Sequence, residues 1–153
     1  MRKFLGSLFG LGLIPGAPGT YASVVALAVW YLAVRLGAPG WVWPLAATGV
    51  SLYCLLVGVP GGSTKPWRDP RWFVLDEVAG ALVAAIAVPV RIPLVSALAA
   101  LFFFRLFDIL KPAPVSWCER LPGTMGVLTD DLAAGVLANL CTQIVLRVGF
   151  RFF

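Results

Sequence analysis

Five apolar runs, each bounded by proline, glycine or charge, constrain this chain more than any other feature. They extend from about Thr20 to Leu36, Trp41 to Val59, Leu75 to Val90, Ile92 to Leu110 and Asp131 to Val148. Read as helices, most of them reach roughly 24–28 Å at about 1.5 Å per residue, enough to cross a bilayer with little tilt. The third run, counted from Val78, is shorter than a standard span. The expected fold is an all-α integral membrane protein with about four to five transmembrane helices, and residues 1–153 form one membrane-embedded domain.

Composition supports the same class. The chain is 60% hydrophobic and 12% charged with a mean hydropathy of +0.92, whereas a soluble domain is roughly 45–50% apolar and about 25% charged. The net charge of +5 does not indicate nucleic-acid binding, because the basic residues are scattered through apolar sequence and form no polar face to lie along a duplex. Anionic lipid headgroups are the better partner. Cys54, Cys118 and Cys141 lack the spacing of a metal or disulfide framework and are assigned a structural role.

Before the first run, Arg2 and Lys3 precede an apolar stretch from Phe4 to Ile14, an arrangement also found in signal peptides. Gly6, Gly10 and Gly12 interrupt it and Pro15-Gly16-Ala17-Pro18-Gly19 closes it. It is therefore read as a retained segment, too short to span, that lies at the interface or re-enters it.

With the N-terminus inside, the inner side holds Arg2, Lys3, Lys65, Arg68, Arg71, Lys111 and Arg120, and the outer side Arg35, Arg91, Arg147 and Arg151. The excess of positive charge inside supports that orientation. Trp67, Trp72 and Trp117 then fall at the inner interface, and Trp41 and Trp43 at the outer one.

Of the seven acidic residues, five lie in or beside apolar runs: Asp76, Glu77, Asp108, Asp130 and Asp131. Taking a carboxylate out of water is costly unless a cation or dense hydrogen bonding compensates it. In-out alternation brings all five to one membrane face, together with the Gly/Pro loop before Thr20. Carboxylates crowded in a partly desolvated place stay ionised with a multivalent cation between them. Oxygen ligands with no histidine anywhere in the chain suit Mg²⁺ or Mn²⁺ rather than zinc.

A second charge class stands beside these acids. Arg105, Asp108 and Lys111 are three residues apart and on a helix would line one stripe, flanking a metal ligand with cations able to hold phosphate. The run from Gly10 to Thr20 ends where a helix begins, so its backbone N–H groups, Gly19 included, can meet an anion. Asp76-Glu77-Val78-Ala79-Gly80 and Asp130-Asp131-Leu132-Ala133-Ala134-Gly135 echo each other as acidic pairs at helix starts followed by small residues. Taken singly, these features also read as helix caps, snorkelling anchors and a turn; their convergence favours a site.

Other chemistries lack their parts. Without histidine there is no phosphohistidine route, and no Asp-x-Asp followed by Thr or Val marks an aspartyl-phosphate enzyme. Cys141 stands six before Arg147, but the intervening residues have no glycine to cradle a phosphate. An ion-coupled transporter needs a polar path across the bilayer, which the outer halves of the runs do not offer. A phosphatidyltransferase needs a nucleotide pocket and an Asp-x-x-Asp-Gly signature, and the signature is absent, so no nucleotide is expected.

Four stretches, GLGLIPGAPGTYAS, RDPRWFVLDEVAG, FFRLFDILKPAPVSW and GTMGVLTDDLAAG, occur in an order that resembles the phosphatidylglycerophosphatase A family of small bacterial inner-membrane enzymes. Ala22 stands where that family commonly has Gly. The resemblance implies Mg²⁺-dependent removal of the terminal phosphate of phosphatidylglycerophosphate, a membrane phospholipid, at the cytoplasmic face. On that reading Asp76, Glu77, Asp108, Asp130 and Asp131 hold one or two Mg²⁺ ions, Arg105 and Lys111 bind the phosphate, and Thr20, Ser23 and Gly19 contribute further contacts to it. Water or an aspartate is the nucleophile.

Overall fold

The structure is a computed structural model in which residues 2–58, 70–118 and 120–149 are described. Val59, Lys65, Trp67, Arg68 and Arg151, used above to set boundaries and orientation, lie outside the described residues. Helices α1 (Arg2–Gly6), α2 (Pro18–Arg35), α3 (Val42–Val57), α4 (Leu75–Ala84), α5 (Pro93–Leu110), α6 (Val115–Cys118) and α7 (Thr124–Gly149) account for most of them. No strand occurs among the described residues, and the all-helical class is as expected.

Proline opens two of these helices. Pro18 and Pro93 stand at the first position of α2 and α5, where the absent N–H is not needed and the fixed φ suits a helix. Pro89 has the opposite effect. Its ring would clash with the carbonyl of Ala85 in a continued helix, and α4 stops at Ala84 with the chain turning through Ala87 at φ 55°. The third apolar run is therefore half helix, not a span from Leu75 to Val90. The fifth deviates in the other direction, because α7 begins at Thr124, well before Asp131. Thr124-Met125-Gly126-Val127-Leu128-Thr129 continues the helical, largely apolar pattern, so the acidic pair lies two turns inside.

Alpha4 sits at the centre, packed against α7, α3 and α2, and α5 lies across α7. Small residues permit the closest approach: a Cβ on Gly135 would strike the backbone carbonyl of Gly80, and one on Gly80 would meet Phe104. Ala79, Ala81, Ala84, Ala134, Ala138 and Phe104 are all fully buried around this crossing. Asp76 lies against Asp131, Gly80 against Gly135 and Ala84 against Asn139, so these two helices run parallel.

Where α4 stops, α7 supplies the missing partners. Asn139 Nδ2 donates to the carbonyls of Ala84 and Ile86 at 3.0 and 2.6 Å, Gln143 Nε2 donates to Asn139 Oδ1 at 2.7 Å, and an Arg147 nitrogen donates to the Ala87 carbonyl at 3.2 Å. Helix-end carbonyls without such donors would be expensive in apolar surroundings.

Two helices, α5 and α7, are long and apolar enough to cross a membrane, fewer than the four to five expected; α3 is apolar but shorter. Their most apolar stretches are only 22% and 28% buried within the protein, the reverse of a core helix in a soluble domain. Exposed apolar side chains continue over α2 and α3, among them Val29, Leu32, Leu45, Leu52 and Leu56. Exposed apolar surface on this scale marks a face that meets a membrane or another protein. The N-terminal segment packs beside the start of α4, with the Val74 amide donating to the Gly6 carbonyl at 3.1 Å, and leaves Phe9, Leu13 and Ile14 exposed.

Candidate metal and phosphate site

The acidic residues of three helices converge at one end of the bundle. Asp76 and Glu77 occupy the first turn of α4, Asp108 the last turn of α5, and Asp130 and Asp131 the third turn of α7. One carboxylate oxygen from each of Asp76, Glu77 and Asp131 lies within 4.8 Å of the other two. Asp76 and Asp131 are 2% and 4% exposed, so the trio is withdrawn from bulk water. The Glu77 side chain adjoins that of Asp76, and Asp108 lies close to Asp131.

Carboxylates this close and this buried need positive charge between them. Glu77 Oε2 is buried with no hydrogen-bond donor among the described residues, which leaves a lone pair for a cation. Three converging oxygens and no imidazole or thiolate suit a small hard divalent ion that keeps several waters. Among the described residues no other group of three acidic or thiol side chains converges in this way.

Asp130 and Lys111 take a different arrangement from the one expected. Lys111 Nζ donates to Asp130 Oδ2 at 2.8 Å, and the Asp131 amide donates to Asp130 Oδ1 at 3.0 Å, so Asp130 turns away from the trio. Lys111 does not continue the Arg105–Asp108 stripe, because α5 ends at Leu110 and Lys111 adopts a left-handed conformation with φ 43°. The following Pro112 disfavours a helical residue at that position.

Arg105 remains on the stripe and pairs with Asp108 at 2.6 Å. Its Nε is buried without an acceptor among the described residues, so the guanidinium keeps a donor for another anion. It is near enough to act on the Glu77 carboxylate. Cation and acid trio thus share one space.

The start of α2 completes the site in an unforeseen way. A Cβ on Gly19 would overlap the Glu77 carboxylate, so the anion at this helix end is a side chain of the protein itself. Ser23 is fully buried and donates to the Gly19 carbonyl at 2.8 Å, which commits its proton within its own helix. Thr20 is half-buried beside it. The sequence reading missed Asn139, which supports α4 from α7; an amide in mid-span was the available signal.

The sequence model of the phosphatidylglycerophosphatase A family matches residues 4–146. A relative from Bacteroides thetaiotaomicron, provisionally named a phosphatidylinositol-3-phosphatase, is 34% identical over 86% of this chain and 85% of its own length. Proteins named phosphatidylglycerophosphatase A from Escherichia coli and Haemophilus influenzae are 34% and 33% identical, each over 85% of this chain and over 74% and 79% of their own lengths. No solved structure shows a significant match to the chain.

Proposed function

The chain belongs to the phosphatidylglycerophosphatase A family, and from that premise we propose that it hydrolyses phosphatidylglycerophosphate to phosphatidylglycerol and inorganic phosphate. The observation that carries the reading to particular residues is the convergence of Asp76, Glu77 and Asp131 oxygens within 4.8 Å. These three residues would hold Mg²⁺, with Asp108 beside them. The ion, when bound, lowers the pKa of a ligated water and screens charge on the phosphate. Arg105, steadied by Asp108, presents its remaining N–H groups to a phosphate oxygen and offsets charge that grows in the transition state. Gly19 holds Glu77 in place by close backbone contact.

Water attacks phosphorus, the lipid alcohol leaves and takes up a proton, and a carboxylate of the cluster accepts the proton lost by the water. Direct attack predicts inversion at phosphorus; retention would require a phosphorylated aspartate in its place.

The whole of residues 1–153 acts as one multi-pass domain in a bacterial cytoplasmic membrane. Alpha2, α3, α5 and α7 cross it, supported by their exposed apolar surface, and α4 enters from the inner side to half depth. The N-terminal segment lies at the cytoplasmic interface beside the site.

The test is phosphate release by the purified chain from phosphatidylglycerophosphate and from phosphatidylinositol 3-phosphate, with and without Mg²⁺. Preference for the first lipid, loss of activity in chelator, and loss in Asp76→Asn, Asp108→Asn and Asp131→Asn are expected. Full activity in all three variants or in chelator would falsify the site assignment.

A further inference from the structure

Helix α5 turns one face into the bundle and leaves another uncovered. Ala97, Ala100 and Phe104 are buried, whereas Leu98, Phe102 and Ile109 are exposed and recur at helical spacing along a different side. A groove of about 430 Å³ runs along that side, with Leu98, Leu101, Phe102, Arg105, Leu106 and Ile109 among its walls. Ring packing steadies its largest wall. Phe102 meets Phe103 edge-on with centroids 5.3 Å apart, and Phe103 stacks on Phe107 at 6.4 Å.

Arg105 is the one polar side chain in this lining, and it also belongs to the carboxylate site. Its guanidinium pairs with Asp108 at 2.6 Å and is near enough to act on Glu77. The groove therefore joins an apolar wall to a cation that stands beside the acid trio. Other apolar grooves lack this link: one along α7, with Pro89 and Ile144 in its walls, and one on α3, with Ser51 and Leu52, contain no residue of the site. Asp108 is in the last turn of α5, so the groove leads from the site towards the middle of the bundle. From Ile109 to Leu98 it covers roughly 16 Å at about 1.5 Å per residue, close to one leaflet of a hydrocarbon core roughly 30 Å thick.

We propose that this groove holds one acyl chain of the lipid substrate, so that the substrate enters the site sideways from the inner leaflet across α5. The phosphorylated head turns over Arg105 towards the acids, and the chain lies against Leu106, Phe102 and Leu98. Lipid tails are as apolar as these side chains, so hydrophobic transfer alone gives the groove little preference over bulk lipid. The anion held at Arg105 selects the groove, and the length of the groove then reads the length of the chain. The inference rests on the phosphatase and multi-pass readings above and adds to them the face of entry and a residue, Leu98, that sets chain-length preference.

Two measurements on the full chain in mixed micelles test it. The first needs no turnover. A phosphonate analogue of phosphatidylglycerophosphate, with a diazirine at the end of one palmitoyl chain, is irradiated with the protein and Mg²⁺, and the label is mapped by mass spectrometry. Label concentrated on residues 98–106 is expected, about tenfold above that from phosphatidylglycerol with the same chain, the scale of a hydrogen-bonded charge. Arg105→Gln should remove the excess. The second measurement compares Leu98→Trp, which fills the far end of the groove, with Leu32→Trp, which puts the same ring on α2; both leucines are 57% exposed. Leu98→Trp should raise KM about fivefold for the dipalmitoyl substrate and leave the dihexanoyl substrate unchanged, less than a closed pocket achieves because the groove is open. Leu32→Trp should change neither. A chain that labels at 98–106 yet releases no phosphate upholds the groove and sinks the phosphatase reading. Equal label from the two lipids, or label as strong on α2 or α3 as on α5, overturns the groove while phosphate release stands. So does a chain-length profile that Leu98→Trp does not move, or a dimer, seen by native mass spectrometry and lost in Leu98→Trp, that covers α5 with a second copy of the chain.

Discussion

Asp76-Glu77 and Asp130-Asp131 look alike as sequence, yet the structure gives them different surroundings and therefore different tasks. The first pair occupies the opening turn of α4, where unpaired backbone N–H groups and the helix dipole favour negative charge. The second lies two turns inside α7, beyond the reach of that effect, and must be compensated from elsewhere. Lys111 and the Asp131 amide compensate Asp130, and Asp131 is left to the trio with Asp76 and Glu77. One pair contributes both acids to the proposed cation site; the other splits into a proposed ligand and an anchor. Position along a helix, rather than the identity of the side chain, assigns the role.

That division makes the largest prediction. Asp131→Asn is expected to lower phosphate release by at least about a hundredfold, the upper end of what losing a group that merely supports a metal costs. Asp130→Asn is expected to lose tenfold or less, because its charge already belongs to Lys111. Rates for the two variants, measured side by side over a range of Mg²⁺ concentrations, decide it. If Asp130→Asn also falls a hundredfold and more Mg²⁺ restores it, Asp130 is a ligand and the pairs are equivalent after all.

The anchor can be tested separately from the chemistry. Lys111→Met leaves Asp130 buried without its cation, and the loss of a partner to a buried charged group costs about 1–3 kcal/mol or more. The Lys111 side chain is 34% exposed, so water offsets part of this and the lower end is expected. Thermal unfolding in detergent reads the effect. Adding Asp130→Asn to Lys111→Met should recover most of the lost stability, since no charge is then stranded. A double variant no more stable than Lys111→Met would show that the ion pair is incidental and that Lys111 acts through a phosphate instead.

Much of this was legible in the sequence because it depends on local composition. The apolar runs mark the helices, with α2, α3 and α5 beginning or ending within a few residues of the expected limits. The carboxylates converge as alternation of the runs predicts. What escaped depends on contacts remote in sequence or on backbone at a single residue. The backward extension of α7 to Thr124 hides the pair's true depth. Pro89 shortens α4, and a donor 55 residues away, Asn139, makes that stop affordable. Lys111 turns off its stripe because of one proline. Glycine at position 19 was read as room for a phosphate, and only the fold shows that a carboxylate of the same chain takes the room.

Gly19 gives the smallest and sharpest test of how the first pair is held. The three atoms nearest to a methyl group there all belong to a flexible side chain, that of Glu77, so the chain can relax by rotating Glu77 away. The contrast is Gly135, whose added Cβ would strike the Gly80 backbone, where no rotation relieves the clash. Gly19→Ala should therefore leave the unfolding temperature nearly unchanged. Rotating Glu77 moves one of three oxygens out of the cation site, and a displacement of that size lowers phosphate release by about tenfold, within the range set by misplaced catalytic groups. The loss should shrink as Mg²⁺ is raised, since weakened ligation is repaired by mass action. A loss of equal size at every Mg²⁺ concentration would mean that Gly19 meets the substrate phosphate directly, and Glu77 would then be a neighbour of that contact, not its purpose.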